Sequence, residues 1–302
     1  MCRLKSAIIL KNRVFVPEYD SHTEMLEELG IKDDYLNASK TFVRVELSPA
    51  DGDVFSDIDT WELSVDQDIM PEWYHEDIYK PLVVEAVKEW AKYHIHIGVD
   101  GLKITTGINH YIKDCKDIQI YGSATVKNIC GSATVENICD RATVENIYGS
   151  ATVKNIRGSA TVKNIRGSAT VKYICESATV KNIYGSATVN NICDSATVEY
   201  ICGSATVKNI RGSATVKNIC GIATVENIYF SATVKNICDS ATVENAKGIS
   251  VIIGSKYGWN KKETLILAEN ATFKDCQTRT IYQSGDWKLV SVESKNKIEK
   301  EN

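Results

Sequence analysis

The sequence predicts a mainly β protein: a two-faced β-solenoid of 18-residue coils, two nonapeptides per coil, between a small α+β N-terminal domain and a β C-terminal cap. One nine-residue motif is written fourteen times from Gly122 to Lys247 without insertion. Its residues alternate between polar and apolar, and most exceptions to its first residue are spaced by multiples of 18. We place the domains at residues 1–110, 111–247 and 248–302.

The first 110 residues mix strand and helix patterns. AIIL and VFV, on either side of a Lys-Asn-Arg turn, predict a hairpin, and two further strands are predicted at 41–47 and 60–65. The capping box Ser21–Glu24 predicts a short helix over 22–29 that stops at Gly30. A second helix is predicted from apolar residues at helical spacing: Ile78, Leu82, Ala86, Val87, Trp90 and His94.

The repeated motif GSATVKNIC has nine places, numbered here from Gly to Cys. Places two to six alternate polar and apolar, as in a strand whose Ala and Val face inward. The Ile at place eight breaks this alternation, so we expect a bend at places six and seven, for example at Lys127–Asn128. The Gly at place one predicts a second bend. Each copy then supplies one short strand and one corner, with Ala, Val and Ile buried.

The exceptions at place one predict the coil length. Nine residues are too few to close a coil around an apolar centre, so two or three copies are needed. Place one is Gly except at Asp140, Glu176, Asp194, Phe230 and Asp239. The first four are separated by 36, 18 and 36 residues, which aligns them on one side of an 18-residue coil and scatters them over a 27-residue coil. We therefore predict two copies per coil.

Both ends of the solenoid should be covered, because exposed backbone at a sheet edge invites edge-to-edge association. Before the array, Ile112, Cys115, Ile118 and Ile120 fit a degenerate first coil. After it, apolar segments at 249–253, 264–268 and 287–292 predict terminal strands that act as a cap. The charged end KNKIEKEN is expected to fray.

Composition and charge exclude several classes of protein. With 43% hydrophobic residues and four prolines, the chain is neither a disordered tail nor a collagen. Its apolar runs are shorter than the roughly 20 residues of a membrane span, so we expect a soluble protein without a signal peptide. Residues 1–121 hold 13 Lys and Arg against 23 Asp and Glu, and residues 122–247 hold 13 against 9. This charge distribution argues against nucleic-acid binding.

Seven of the ten cysteines stand at place nine of the motif, where Tyr and Arg also occur. A place that accepts those residues is expected to face outward, and its cysteine is not an obligatory disulfide or metal ligand. Cysteines 18 residues apart, such as Cys202 and Cys220, are expected near each other on adjacent coils. The free thiols favour a reducing cytoplasm, and no cofactor is predicted.

Two features of the N-terminal domain are compatible with an enzyme. Removal of Met1 would expose Cys2 as an N-terminal nucleophile, although the continuation RLKSA lacks the glycines common in such enzymes. His94 and His96 alternate on a predicted strand and are candidate metal ligands. Further candidate ligands are Asp100 and the pair Asp66 and Asp68, and that pair is also a candidate acid and base. The competing interpretation is two ordinary histidines near a helix end and an acidic turn.

Aromatic residues are concentrated in the N-terminal domain. Most of this surface is expected in the core, but a partly exposed cluster would form a protein-binding patch. The candidates for partner binding are Trp61, Trp73 and Tyr74. On the solenoid, Lys and Glu beside the Ser and Thr rows disfavour a flat lattice-binding surface and a continuous acidic face.

The units from Gly122 to Ser240 resemble the S-A-T-V and S-T-V nonapeptide tracts of a group of uncharacterised bacterial and phage proteins. The opening KSAIILKNRVFVPEYDSH and VDQD with Trp73-Tyr74 extend the resemblance more loosely. It implies no activity, but it implies a phage or mobile-element setting, in which accessory proteins often bind host factors.

These observations predict a non-enzymatic binding or scaffold protein. The N-terminal domain would contact a protein partner, and the solenoid would act as a rigid spacer or a homo-oligomerisation surface through its end or face. The alternative is an enzyme of the N-terminal domain that uses Cys2 or a metal at His94 and His96.

Overall fold

A computed structural model describes residues 4–108, 110–254, 266, 267, 269, 271–275 and 280–283. The chain divides into two compact units. Of the described residues, those up to Ile97 and those within Gly107–Lys113 form the N-terminal unit, and those within Gly98–Thr106 and from Asp114 onward form the solenoid unit. Cys2, the predicted strand at 287–292 and the charged end lie outside the described residues. In the described chain, no helix is long and apolar enough to cross a bilayer.

The N-terminal unit contains a four-stranded antiparallel sheet of order β2-β1-β3-β4. The predicted hairpin and the two further strands are confirmed, as is the capping box, in which the Glu24 N–H donates to Ser21 Oγ over 3.3 Å. A short helix, α2, was not predicted. The elements are β1 (Lys5–Leu10), β2 (Arg13–Phe15), α1 (His22–Glu28), α2 (Tyr35–Ala38), β3 (Phe42–Ser48), a 3-10 turn (Ile58–Thr60), β4 (Glu62–Val65) and α3 (Glu76–His94).

Both faces of this sheet are covered. Ala7 and Ile9 belong to the same buried cluster as Val83 and Val87 of α3, whereas Ile8 packs in a second cluster with Met25 and Leu26 of α1. This explains why β1 is buried along nearly its whole length, at Lys5 and Ser6 as well as at its apolar residues, instead of alternating. The predicted buried face of α3 is wrong at its start: Ile78 and Leu82 are 56% and 50% exposed, because Tyr79, Val83 and Val84 face the core.

The described residues between 95 and 274 form a β-solenoid of about nine turns of about 18 residues, which confirms two nonapeptides per coil. Each strand pairs in parallel with the equivalent strand one coil later, for example Thr179 with Thr197 and Val180 with Val198. Places three, five and eight of every copy are buried: they hold Ala, Val and Ile, except that Ala246 replaces Ile in the last copy. The repeat strands are β9 (Thr125–Cys130), β10 (Thr134–Ile138), β11 (Thr143–Ile147), β12 (Thr152–Ile156), β13 (Thr161–Ile165), β14 (Thr170–Ile174), β15 (Thr179–Ile183), β16 (Thr188–Ile192), β17 (Thr197–Ile201), β18 (Thr206–Ile210), β19 (Thr215–Ile219), β20 (Thr224–Ile228), β21 (Thr233–Ile237) and β22 (Thr242–Ala246).

The solenoid extends beyond the fourteen copies at both ends. Ile112, Cys115, Ile118 and Ile120 are fully buried, as the predicted degenerate coil requires. Strand β5 pairs with β7, β6 with β8, β23 with β21 and β25 with β23, all in parallel, and β26 folds back antiparallel on β25. These flanking strands are β5 (Ile95–Ile97), β6 (Lys103–Ile104), β7 (His110–Lys113), β8 (Ile118–Ile120), β23 (Val251–Gly254), β24 (Ile266–Leu267), β25 (Thr272–Asp275) and β26 (Thr280–Gln283).

The corner of each copy lies at place one, whereas each strand runs from place four to place eight through the bend predicted at places six and seven. At the corner of the second copy, the Ala133 N–H donates to the Cys130 carbonyl over 3.3 Å, and Gly131 has a φ of 66°. A positive φ favours Gly and is next best tolerated by Asp and Asn, which explains most of the residues found at place one.

Acidic residues at place one also satisfy the backbone of the preceding coil. Asp140 Oδ2 accepts from the Gly122 N–H over 3.0 Å, and Glu176 Oε2 accepts from the Gly158 N–H over 2.9 Å. The carboxylate thus compensates for the unfavourable φ of a residue with a side chain.

Asparagines at place seven form ladders from coil to coil. Asn182 Nδ2 donates to Asn164 Oδ1 and Asn164 Nδ2 to Asn146 Oδ1, each over 3.0 Å. Tyr173 and Tyr200 occupy this place in two copies and interrupt the ladders. Side-chain amides therefore reinforce the parallel backbone pairing wherever Asn is present.

Candidate functional site

An open cleft of about 600 Å³ lies in the N-terminal unit beside α2, β3 and the residues that follow β4. Its acidic lining residues are Asp33, Asp34, Asp66 and Asp68, and Arg44 lies among them. The cleft therefore joins the predicted pair Asp66 and Asp68 to two aspartates that come from a different part of the chain.

Hydrogen bonds hold the segment after β4 against β3. The Asp66 N–H donates to the Arg44 carbonyl over 2.9 Å, which extends the strand pairing by one residue. The Gln67 side chain then takes the place of a strand residue: its Oε1 accepts from the Arg44 N–H over 2.9 Å, and its Nε2 donates to the Phe42 carbonyl over 3.2 Å. Asp66 and Asp68 flank this anchor and are exposed.

Negative charge is in excess in the cleft. Asp33 forms an ion pair with Arg44, and Asp34 Oδ2 lies 3.4 Å from Lys32 Nζ. Asp34 Oδ1 accepts from the Asn37 N–H over 3.0 Å at the start of α2, and this hydrogen bond is the main cause that lowers the pKa of Asp34. Four carboxylates against these two cations leave a surface that attracts positive charge.

His22 contacts the cleft, although the sequence singled it out only as part of the capping box. Its Nδ1 lies 3.1 Å from Asp66 Oδ2, and its Nε2 lies 3.1 Å from the Val45 carbonyl. Both ring nitrogens thus face acceptor atoms, so the ring bridges α1 to β3 and to the end of β4 instead of acting as a general base. No local pattern could reveal a contact between residues 44 positions apart.

His94 and His96 do not share a strand, contrary to the prediction: His94 is the last residue of α3, and His96 lies in β5. The His110 ring stacks on both, with centroid distances of 5.0 Å to His94 and 5.7 Å to His96. Trp90 stacks on His94 at 4.6 Å. Burial, reinforced by the His110 ring, lowers the pKa of both His94 and His96 to about 4. His94 and His96 are therefore uncharged at pH 7 and stack with Trp90 and His110.

The predicted aromatic patch divides between core and surface. Trp61 is 1% exposed, and its indole N–H donates to Ser56 Oγ over 3.0 Å, so we leave it out of the binding surface. Trp73 and Tyr74 are half-buried and pack on Tyr79 at centroid distances of 5.3 and 5.8 Å. Cys2, the candidate nucleophile, is among the residues that the structure does not describe.

The place-nine cysteines form two rows on the solenoid unit. They are less outward-facing than predicted, since Cys130 and Cys193 are buried and the others are half-buried. The eight cysteines in the described part of the chain are thiols, not disulfides. Three groups there bring metal-ligating atoms within 4.8 Å of one another, and neither His94 nor His96 belongs to them: Cys175, Cys193 and Asp194; Cys220, Cys238 and Asp239; His22, Glu46 and Asp66.

Comparison with known proteins assigns no role to these sites. No protein-family model matches the chain, and neither does any curated protein or solved structure. The function proposed below therefore rests on the geometry of the cleft and the solenoid.

Proposed function

We propose that this chain is a non-enzymatic binding protein whose acidic cleft takes a basic segment of a partner protein, while the solenoid serves as a rigid scaffold. The observation that carries the proposal is the composition of the cleft. Its four aspartates lie beside Tyr35 of α2, which lines the cleft and is 73% exposed, and Leu36, which is 60% exposed, follows it. Carboxylates beside exposed apolar side chains complement a segment that combines Lys or Arg with apolar residues.

The regularity of the solenoid supports the scaffold role. Backbone pairing, asparagine ladders and ion pairs link adjacent coils, among them Lys154 with Glu136 at 2.8 Å and Lys217 with Glu199 at 2.8 Å. Ile222, Phe230 and Ile249, in the last coils, are 65%, 64% and 61% exposed. These apolar side chains are where we place self-association of the protein.

The proposal also includes where the protein acts and what kind of partner it has. The resemblance of the repeats to those of bacterial and phage proteins supports an accessory role in which the partner is a bacterial host protein. The free thiols support a reducing compartment such as the cytoplasm.

The test compares the full-length protein with a cleft variant and a matched control. Asp66→Asn with Asp68→Asn removes two negative charges from the cleft, and Glu62→Gln with Glu72→Gln removes two from exposed positions outside its lining. Each protein is immobilised and exposed to a bacterial lysate, and the polypeptide retained is identified, purified and titrated. A synthetic peptide of its most basic segment is titrated as well.

We expect the parent and the control to bind the same basic polypeptide and its peptide. The cleft variant should bind both at least about 10-fold more weakly, equivalent to about 1.4 kcal/mol, and added salt should weaken the parent's binding. Equal binding by the cleft variant and the control would refute the cleft as the binding site.

A further inference from the structure

Two places on the solenoid unit bring thiols from adjacent coils together with a carboxylate. Cys175, Cys193 and Asp194 form one group, and their two Sγ atoms and one carboxylate oxygen all lie within 4.8 Å of one another. Cys220, Cys238 and Asp239 form the other in the same way. Both arise from one rule of the repeat: cysteine at place nine of two successive coils, followed directly by an acidic residue at place one.

The carboxylate in each group is oriented by the backbone of the preceding coil. Asp239 Oδ2 accepts from the Gly221 N–H over 2.9 Å, and Asp194 Oδ2 accepts from the Glu176 N–H over 3.1 Å. These hydrogen bonds occupy one oxygen and hold the carboxylate beside the thiols. A ligand group fixed in this way loses little conformational freedom when a cation binds.

The thiols are protonated at neutral pH. Burial, together with the neighbouring thiols, raises the pKa of Cys220 to about 12 and that of Cys175 to about 11. The neighbouring thiols of Cys202 and Cys238, one coil away on either side, contribute to the raised pKa of Cys220. Such thiols are poor nucleophiles and resist oxidation, because the thiolate is the reactive form.

We propose that each group binds one thiophilic divalent cation, Zn²⁺ or Cd²⁺, through two thiolates and one carboxylate, as a staple between adjacent coils. Binding replaces two thiol protons, which pass to solvent, and a water molecule completes a tetrahedral set. Zinc lies about 2.3 Å from sulfur and about 2.0–2.2 Å from carboxylate oxygen, so its ligand atoms are roughly 3.5–4 Å apart. Groups already within 4.8 Å reach this spacing by small rotations of the side chains.

The array contains its own incomplete sites. Cys139 is followed by Asp140, but Tyr121 and Arg157 occupy the equivalent places in the adjacent coils. Cys202 has Cys220 as a neighbour, but Gly203 follows it. Cys139 has no second thiol beside it, and Cys202 has no carboxylate directly after it. We therefore expect neither cysteine to form a metal site of its own.

The experiment is a Cd²⁺ titration of the full-length, fully reduced protein without oxygen, in competition with a chelator. Thiolate-to-cadmium charge-transfer absorption counts the bound ions. The variants are Cys175→Ser, Cys220→Ser, both together, and Cys139→Ser as the matched control. Because Tyr occupies place nine in other copies, a tyrosine at the same position, Cys175→Tyr or Cys220→Tyr, replaces a serine variant that does not fold as judged by circular dichroism.

We expect two equivalents of Cd²⁺ in the parent and in Cys139→Ser, one in each single variant and none in the double variant. Adding Asp239→Asn to Cys175→Ser should weaken the remaining site by at least about 10-fold, because losing a direct ligand should cost no less than losing an outer-shell partner. Affinity should fall steeply as pH falls, because two protons compete with each ion.

Three results would overturn the proposal. They are no thiolate absorption in the reduced parent, undiminished stoichiometry in the double variant, and an equal loss in Cys139→Ser.

Discussion

The two units bury their side chains in different ways. The core of the N-terminal unit is made of unlike residues, including Trp61, Phe42 and the charged Lys5, each with contacts that occur once. The solenoid buries Ala, Val and Ile in coil after coil, and Val and Ile pair with their own equivalents 18 residues away, as Val162 does with Val180. A substitution in the N-terminal unit therefore removes an interaction that occurs once. A substitution in the solenoid changes one copy of a repeated contact, and the equivalent positions in the other copies serve as controls.

The largest effect is expected where the N-terminal unit buries a charge. Lys5 is 0% exposed, and its Nζ donates to Asp20 Oδ1 over 2.7 Å and to the Tyr19 carbonyl over 3.0 Å. Asp20→Ala leaves a buried ammonium group without its counter-charge and should lower the free energy of unfolding by about 3–5 kcal/mol. Urea unfolding followed by near-UV circular dichroism, which reports aromatic cores, measures the loss.

Replacing both partners, with Lys5→Met and Asp20→Ala, is the control, and it should recover most of this stability. Burial lowers the pKa of Lys5, so the unfolded chain binds the proton more readily and stability should rise with pH as the amine deprotonates. An Asp20→Ala protein as stable as the parent would show that the ion pair does not hold this unit together.

Acid should destabilise the N-terminal unit more than the repeats, because all five histidines precede the repeats. The pKa of His94 and of His96 is lowered from 6.5 to about 4, so the unfolded chain binds more protons between those pH values. The N-terminal unit should therefore lose stability as pH falls from 6.5 to 4. The loss is on the order of 1–2 kcal/mol after allowance for solvent screening.

Thermal unfolding at a series of pH values checks this prediction. His96→Gln should flatten the pH dependence, and His75→Gln, at an exposed position outside the stack, should leave it unchanged. The stack would have no part in the pH dependence if both variants gave the parent's curve.

The same contrast explains what could be predicted from the sequence. The repeat reveals its coil length and buried residues because each side chain packs on a copy of itself, so spacing along the chain reports spacing between coils. The predicted bend at Lys127–Asn128 does not end the strand: Val126 and Ile129 are both buried although they are three residues apart, and β9 runs through both. Asp140 was recognised as an exception but not as a hydrogen-bond acceptor, since its donor lies one coil away.

The acidic cleft could not be predicted in this way. It joins α2, β3 and the end of β4, and the contact between His22 and Asp66 has no counterpart elsewhere in the chain. Helical spacing identified α3 but misplaced its buried face at Ile78 and Leu82, because the sheet it packs on decides the angle. The sequence identified Asp66 and Asp68 as an acidic pair, but it did not reveal that Asp33 and Asp34 line the same cleft.

A smaller effect is expected at a corner of the solenoid. Gly203 has a φ of 64°, and a Cβ there would lie 3.0 Å from the backbone nitrogen of Gly185. Gly203→Ala should lower the free energy of unfolding by about 1–2 kcal/mol. Gly203→Asp should cost less, because its carboxylate can accept from the Gly185 N–H as Asp239 does from Gly221.

Ser213→Ala, at an exposed position in the next copy, is the control and should be nearly neutral. Urea unfolding of the three variants ranks them. Equal losses for Ala and Asp at position 203 would mean that the carboxylate contributes nothing at corners.

The smallest effect, a gain, is expected where an asparagine ladder is interrupted. Tyr200 pairs in register with Asn182 below and Asn218 above, and it is 42% exposed. In the neighbouring coils Asn182 Nδ2 donates to Asn164 Oδ1 over 3.0 Å, and Asn236 Nδ2 donates to Asn218 Oδ1 over 3.2 Å. Tyr200→Asn joins these two runs and adds two hydrogen bonds between side chains.

Each such bond contributes about 0.5–1.5 kcal/mol net, and the lost packing of the tyrosine ring offsets part of the sum. We therefore expect Tyr200→Asn to raise the free energy of unfolding of the solenoid by about 1 kcal/mol, measured by urea unfolding. Tyr200→Ala removes the same ring without supplying an amide and should give no gain. If the two variants were equally stable, the asparagine ladders would contribute nothing to the stability of the solenoid. Backbone pairing and the burial of aliphatic side chains would then be enough to hold the coils together.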